Sequence, residues 1–351
     1  MSKKWQNMSN VPKLRFKDFS GEWEESKLKE YCFNISSGKS KNIEGGEYYL
    51  YGSTGIIGNT DKFTHNGTYI LIARVGANAG LTNLIKGKFG VTDNTLILDL
   101  DKEKSNISFI LSLLHKYNLN RLIFGSGQPL ITGGQLKSLK LYFPQKQEQE
   151  KIASFLNQVD TKIEQLTKKE KLLQQYKKGV MQKIFNQEIR FVSDDGSEFC
   201  EWEEKRLKEV LDYEQPTKYI VESTEYNGNY NTPVLTAGKT FILGYTNEEN
   251  GIYTNSPVII FDDFTTANHY VDFDFKVKSS AMKLLKEKNE NICLKFVYEF
   301  IQKLHFPIGE HKRYWISEYS YLKIKLPCLE EQNKIANFLS SIDTKIEQTQ
   351  K

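Results

Sequence analysis

The sequence predicts an α+β chain of two similar globular units, each built on a twisted, mostly antiparallel sheet. Two long helices separate them and form an antiparallel coiled coil, so the whole is a pseudo-twofold internal repeat. Three observations carry this reading. The stretch KIASFLNQVDTKIEQ at 151–165 returns as KIANFLSSIDTKIEQ at 334–348, an interval of 183 positions. Each copy follows a short alternating segment stopped by proline, LKLYFP at 139–144 and LKIKLP at 322–327. The region before each copy is long enough for one globular domain.

The repeat is the first feature to interpret, because a chain that spells one element twice is built from two similar units. Over Pro144–Gln165 against Pro327–Gln348, 14 of 22 positions are identical. The openings of the halves rhyme as well: LRF at 14–16 with IRF at 189–191, and WEESKLKE from Trp23 with WEEKRLKE from Trp202. The middles differ. A repeated frame around divergent inserts points to two recognition units of one type with different targets. The alternating segments read as strands ended by proline. NISFILSLLHKYNL at 106–119 and NICLKFVYEFIQKL at 291–304 read as helices of the frame.

After Pro144 the chain runs to Gln187 without proline and with a single glycine, Gly179. Apolar residues fall at Ile152, Leu156, Val159, Ile163, Leu166, Leu173, Val180 and Ile184, a 4,3 spacing that Glu170 and Lys177 interrupt. Heptads of this kind bury one stripe against another helix. The second copy repeats the stripe at Ile335, Leu339, Ile342 and Ile346. The expected seam is therefore Ile152, Leu156, Val159, Ile163, Leu166 and Leu173 against Ile335, Leu339, Ile342 and Ile346. The plainer alternative is a pair of amphipathic helices, each packed on its own domain. Against it stands the return of the polar residues Asp160, Lys162 and Glu164 as Asp343, Lys345 and Glu347. A merely solvated face drifts, so these six form a candidate face for a second protein. The domain reading is 1–143, 144–187 (central helix), 188–326 and 327–351 (second helix). The second helical segment is shorter than the first, so the distal part of the first, with Leu173, Val180 and Ile184, is expected to lack a partner within the chain.

Composition narrows the class. The 351 residues carry a net charge of +4, with 39% apolar and 26% charged residues, ordinary for a globular protein. No apolar run approaches the ~20 residues of a membrane span, and the start, MSKKWQNMSNVPK, lacks the apolar core of a secretory signal. Four scattered cysteines without a CxxC pair fit free thiols in a reducing cytoplasm. Charge is uneven: residues 1–143 carry +7, 144–190 carry +4, 191–326 carry −6 and 327–351 carry −1. The front half suits a polyanion.

Catalytic signatures are missing. There is no GxxxxGK[ST] loop, no GxSxG elbow and no NPPY-like quartet for adenine methylation. The most enzyme-like stretch is PVIIFDD followed by VDFDFK, in which Asp263, Asp274 and Lys276 would serve a Mg-dependent endonuclease. The competing reading is a half-buried strand, because VDFDFKV alternates polar and apolar residues. The loops are better suited to nucleic acid. YGSTGIIGNTDKF (51–63), ILIARVGANAG (70–80) and RLIFGSGQPLITGGQ (121–135) put glycines beside Arg74 and Gln128, and Arg and Gln pair bidentately with guanine and adenine. In the second half the corresponding loops are TAGKTFILGYT, FTTANHY and GEHKRYW.

The order of these parts (globular region, LxLxFP, EQxKIAxFL…DTKIEQ helix, W-E-E box, second globular region, LxIxLP, helix) resembles the specificity subunit of type I restriction–modification systems over nearly the whole chain. The resemblance implies two target-recognition domains, each reading half of a bipartite, asymmetric double-stranded DNA site. It implies helices that set the spacer, and no catalytic activity in this chain. It implies partners: two adenine-N6 methyltransferase subunits docked on the helices and, through them, restriction/translocase subunits. S-adenosylmethionine, ATP and Mg would belong to those partners, leaving this chain without cofactor or metal. Candidate DNA contacts are Lys39, Ser53, Thr54, Lys62, Arg74, Asn78, Ser126 and Gln128 in the first domain. In the second they are Lys239, Thr240, Tyr245, Asn268, His269, Lys312, Arg313 and Tyr314.

Overall fold

The computed structural model describes residues 11–123, 129–238, 240–308 and 312–350. They fall into two compact units, Met1–Glu164 and Gln165–Lys351. The division passes through the long central helix. Its first turns pack in one core and its last turns in the other.

The first unit opens with β1 (Glu24–Lys27), β2 (Cys32–Ser37), β3 (Tyr48–Gly52), β4 (Gly55–Thr60), β5 (His65–Ala73), β6 (Thr82–Val91) and β7 (Thr95–Leu100). It continues with α1 (Ile107–Tyr117), α2 (Gly133–Ser138), β8 (Lys140–Phe143) and the start of α3 (Lys146–Phe185). Six strands form one sheet in the order β2-β7-β5-β6-β3-β4, antiparallel except where β3 runs parallel to β6. The expected loop 51–63 is largely strand: β3 and β4 make a hairpin whose corner is Ser53-Thr54, and Gly55 at φ +104 supplies the left-handed turn. Helix α1 starts at an Asn106 cap whose side chain accepts from the Phe109 N–H. It buries Phe109, Ile110, Leu113 and Leu114 against Ile70, Ile72, Leu96 and Leu98 of the sheet, and Ile152 and Ala153 of α3 join that core. β1 and β8 pair antiparallel at the base of α3.

The second unit repeats the frame. β9 (Glu203–Arg206) pairs antiparallel with β17 (Lys323–Leu326), as β1 does with β8. Between them lie α4 (Leu207–Val210), β10 (Leu211–Glu214), β11 (Thr232–Leu235), β12 (Ile242–Thr246), β13 (Val258–Asp262), β14 (Asn268–Val271), β15 (Lys276–Val277), β16 (Met282–Glu287), α5 (Leu294–Lys303) and α6 (Tyr314–Ser317). The insert differs from the first: the strands split into two sheets, β10-β16-β13-β14 and β12-β11-β15. VDFDFKV is not one strand. Pairing stops at Val271 and resumes at Phe275, which bridges Tyr253, with Asp272, Phe273 and Asp274 exposed between. Helix α7 (Leu329–Gln350) closes the unit.

α7 buries Ile335, Ala336, Leu339 and Ile342 in a core that also takes Ile184 and Phe185 of α3 and Phe296, Val297, Phe300 and Ile301 of α5. It therefore packs on its own domain and runs beside α3 as well. The direction is antiparallel: Lys177 Nζ lies 2.8 Å from the Asp343 carboxylate, and Gln350 Nε2 donates to Glu170 Oε1 at 2.7 Å. One heptad forward on α3 is one heptad back on α7. This corrects two expectations. The distal part of α3 has its partner, because Val180 and Ile184 pack with α7. The early seam positions do not: Val159 is 38% and Ile163 56% exposed, beside Phe155 at 50%. The sequence pattern marks which face is apolar, but an antiparallel partner matches the far end of a helix, not the near one. Ile152 packs on the first core, and Leu156, Leu166 and Leu173 are half-buried. Glu170 and Lys177, which break the apolar heptad, are themselves the polar contacts that fix this register.

Candidate nucleic-acid interface

In the first unit two of the glycine-bearing loops converge on one turn. Ser53, at the β3–β4 corner, donates from Oγ to the Asn94 carbonyl at 2.6 Å. Arg74, one residue past β5, donates its backbone N–H to the same carbonyl at 2.9 Å, and its Nη1 donates to the Asp93 carbonyl at 3.3 Å. Its own carbonyl accepts from the Ile131 N–H at 2.8 Å. The backbone of Arg74 is therefore clamped on both sides. Its guanidinium is half-buried and held toward the 92–95 turn, with donor capacity left for an acceptor from outside. Between the corner and β5 lies a recess of about 210 Å³ lined by Tyr51, Ser53, Thr54, Ala73, Asn83 and Thr95, and the buried Thr95 Oγ1 has no hydrogen-bond partner there. Lys39, Thr54, Lys62 and Asn78 are exposed. Ser126 and Gln128 lie outside the described residues.

The pattern-based reading missed a neighbouring cluster. Lys88 Nζ sits 5.0 Å from the centre of the exposed Phe63 ring, next to Lys62, and Lys86 is exposed two residues before it on β6. The alternation in IKGKF (85–89), with lysines on one face of a strand, was the available signal.

In the second unit His269 ties two expected loops together. Its ring stacks on Phe241 with centroids 4.4 Å apart. Burial lowers its pKa, against the raising effect of backbone bonds at Gly238 and Ala237. The imidazole is therefore neutral near pH 7 and serves as a half-buried ring, not a cation. Asn268 is already engaged: Gln302 donates to its Oδ1 at 2.6 Å, and its Nδ2 donates to the Thr266 carbonyl. Thr240 is exposed, with its carbonyl held by Thr236 Oγ1, and Tyr245 is half-buried. Lys239 lies outside the described residues.

The HKRYW stretch separates into roles. Arg313 is exposed and precedes α6. Lys312 is exposed and ion-paired with Glu318. Tyr314 is a correction: it is 1% exposed, packs on Phe306, and its N–H donates to the Asp263 carbonyl at 2.7 Å. A ring in the core cannot reach a base edge.

With the geometry in hand, the family can be stated. A model described as the type I restriction modification DNA specificity domain matches the chain twice, at residues 20–175 and 200–351. The chain belongs to this family. Each specificity domain covers one unit's insert together with its following helix. The chain is 55% identical over 141 residues to the Escherichia coli type I restriction enzyme EcoR124I/EcoR124II specificity subunit, covering 39% of this chain and 35% of that protein. It is 32% identical over 120 residues to the E. coli EcoprrI specificity subunit, covering 34% of this chain and 30% of that one. The alignments thus span about a third of the length of these two relatives. With the Methanocaldococcus jannaschii MjaVIII specificity subunit the identity is 26%, over 95% of this chain and 90% of the other. The crystal structure of the type I restriction–modification S subunit from M. genitalium has the same fold, with a TM-score of 0.72 at 18% identity over 97% and 94% of the two chains.

The endonuclease reading does not survive in the second specificity domain. Asp263 is 1% exposed; its Oδ1 accepts from the Trp315 N–H at 2.8 Å and its Oδ2 lies 3.4 Å from the equally buried Lys283. Lys276 is buried between Glu248 and the Asn250 carbonyl, both 2.6 Å away. Asp274 is exposed. The three side chains serve separate structural contacts, and the relatives are specificity subunits by name. Among the described residues no group of three or more His, Cys, Asp or Glu is arranged to hold a metal.

On the helices, Asp160, Lys162 and Glu164 are exposed, as are Lys345 and Glu347. Asp343 departs from its expected role as an open docking residue. It is committed to Lys177, and Lys295 lies 4.0 Å away. Its recurrence therefore has a packing reason. The frame residues that sequence reading did not interpret are Glu148 and Glu331. Each accepts from an arginine and a tryptophan of its domain's opening: Arg15 and Trp23, Arg190 and Trp202.

Proposed function

We propose that this chain is the non-catalytic, DNA-reading subunit of a type I restriction–modification complex. Each specificity domain reads one half of a bipartite site in double-stranded DNA. The exposed helix faces dock two adenine-N6 methyltransferase subunits, which in turn carry restriction/translocase subunits. S-adenosylmethionine, ATP and Mg²⁺ are assigned to those partners, and the complex works in the cytoplasm. No helix among the described residues is long and apolar enough to cross a membrane.

The observation that carries this reading is the double match to the specificity family on two domains whose frames agree and whose inserts differ. The frames supply a common support. The inserts supply different loops: around Arg74 and Ser53 in one domain, around His269 and Arg313 in the other. Lys39, Lys62, Lys86 and Lys88 suit phosphates, and Arg74 and Arg313 suit guanine edges.

The test is methylome sequencing of cells that carry the whole system, with and without a four-residue deletion at Gln158–Thr161. That stretch of α3 precedes its contacts with α7. The deletion shortens the helix by about 6 Å at ~1.5 Å per residue, against ~3.4 Å per base pair. The methylated site is expected to keep both half-sequences and lose one or two base pairs of spacer. Altered half-sequences with an unchanged spacer would contradict the proposal.

A further inference from the structure

On the reading of the first specificity domain as a DNA reader, we infer that the recess beneath the β3–β4 corner takes the major-groove edge of one thymine. The 5-methyl group lies against Ala73, and O4 accepts from the Thr95 hydroxyl.

Strands β6, β5 and β7 lie side by side, and their register sets Asn83 opposite Leu71 and Ala73 opposite Thr95. The Ala73 N–H donates to the Leu81 carbonyl at 2.8 Å, so Leu81, Ala73 and Thr95 form one row across the sheet. Side chains alternate along a strand. The row therefore shares its face with Leu71, Asn83 and Ile85, opposite the face that Ile70 and Ile72 bury under α1. Ala73 stops at Cβ between the longer Leu81 and Thr95, and the recess of about 210 Å³ forms over it. The β3–β4 corner is its roof. Ser53 Oγ donates to the Asn94 carbonyl at 2.6 Å and the Thr92 N–H donates to the Tyr51 carbonyl at 3.0 Å, so the corner is tied to the turn between β6 and β7. Thr54 and Asn83 are exposed at the mouth.

The walls are apolar, from Leu71, Ala73, Leu81 and Ile85, and one hydroxyl sits among them. Thr95 is 1% exposed, and its Oγ1 has no partner in the protein. Two more buried polar atoms without a partner, Thr92 Oγ1 and Arg74 Nε, belong to the same corner. Buried polar groups are nearly always paired, so the hydroxyl calls for a partner from outside. The group that fits is apolar, with an acceptor on the neighbouring position. Among base edges in the major groove, thymine is the one with a methyl group, and its O4 acceptor stands beside it. Guanine would set two polar acceptors, N7 and O6, against apolar walls. A phosphate would lose its water without gaining a cation, because no described residue lining the recess is charged.

The test uses this chain assembled with its methyltransferase partners, on the duplex that methylome sequencing identifies, with affinity read by fluorescence anisotropy. Each thymine of the site is replaced in turn by deoxyuridine, which removes the methyl alone. At one thymine the affinity should fall about fourfold, the worth of one buried methyl. Thr95→Val removes the hydroxyl and keeps the shape. It should keep or raise the Tm, because no bond within the protein is lost, and should weaken binding about fivefold. The two losses should meet at one base. With that thymine replaced by 5-methyl-2-pyrimidinone, which lacks O4, Thr95→Val and wild type should bind equally. Asn83→Phe, at the exposed mouth, should keep the Tm and abolish the deoxyuridine effect at that thymine. The inference is overturned if no thymine responds to loss of its methyl, or if Thr95→Val still weakens binding to the duplex without O4. A lower Tm for Thr95→Val with unchanged affinity of the folded protein would also overturn it, by making Thr95 a residue of the fold alone. A wild-type complex that binds no specific site would overturn the DNA-reading function itself, whereas one that binds its site and ignores every methyl overturns the thymine recess alone.

Discussion

Glu148, on the first turn of α3, accepts from the guanidinium of Arg15, 133 residues earlier, at 2.7 and 2.6 Å. Trp23 Nε1 donates to the same carboxylate at 3.2 Å. The second domain rebuilds the device with Glu331, Arg190 and Trp202. The next residue of each helix is a glutamine with a matching task. Gln149 accepts from the Asn106 N–H and donates to the Lys104 and Pro144 carbonyls. Gln332 accepts from the Cys293 N–H and donates to the Asn291 and Pro327 carbonyls. The repeated Glu-Gln pair thus ties each domain's opening and its frame helix to the start of the long helix.

Glu331 is fully buried, so Arg190→Met should leave a carboxylate with one indole N–H as its remaining charge-compensating donor. Losing the partner of a buried charge costs about 3–5 kcal/mol, and the lower end applies because a quarter of the Arg190 side chain stays wet. Urea denaturation monitored by fluorescence should show the loss. Arg190→Met with Glu331→Leu should recover much of it, because the orphaned charge is gone. A double variant no more stable than the single would show that the arginine acts by packing alone.

Lys177 joins three helices, with Glu299 of α5 at 2.9 Å and Asp343 of α7 at 2.8 Å. Burial pulls its pKa down, and the two carboxylates outweigh burial, so the net effect is a rise above the ordinary 10.5. A cation whose pKa rises on folding stabilises the fold fully below the unfolded value. That contribution fades as pH climbs through the higher folded value. Wild-type stability should therefore fall as pH climbs above 10.5 more steeply than that of Lys177→Met. At pH 7 the variant should be less stable by roughly 3 kcal/mol, because Glu299 is fully buried and keeps Lys295 as its one close cation. Parallel pH profiles for the two proteins would refute the assignment.

The frame was legible because its residues repeat: the β1–β8 and β9–β17 ladders, α1, α5 and both long helices all lie where the sequence rhymes. The pairing of the helices was less legible. Periodicity shows the apolar face but not which stretch of α3 lies beside α7, a matter settled by the Lys177–Asp343 and Glu170–Gln350 contacts. In the loops, composition gave Arg74 and Arg313 as candidates but misplaced Tyr314. The burial of Tyr314 depends on Asp263 and Phe306, residues distant in sequence that no local pattern connects to it.

The thiols should react in order of exposure. Cys32 is half-buried in β2, and burial, helped by Asp99, pushes its pKa up to about 12. Cys200 is exposed. Under native conditions at pH 8 a disulfide reagent should therefore modify Cys200 first and leave Cys32 untouched until the protein unfolds. Mass spectrometry of tryptic peptides at early time points checks this; early labelling of Cys32 would mean that β2 opens readily.

Neighbouring positions 313 and 314 should give opposite phenotypes. Tyr314→Ala empties a core site beside Phe306 and should cost about 3–5 kcal/mol of stability, the range for a large buried ring. DNA affinity of the folded fraction should stay near wild type. Arg313→Ala removes an exposed cation at the entry to α6 and should leave the Tm unchanged. If Arg313 meets a phosphate, affinity of the assembled complex for its site should fall and the slope of log K against log salt should shrink by about one. If it meets a base, the slope should hold while discrimination against one base pair relaxes by roughly 1–3 kcal/mol. A salt titration on the cognate site and on single-pair variants of it separates the two, and an Arg313→Ala complex unchanged in both would remove the 313 loop from the interface.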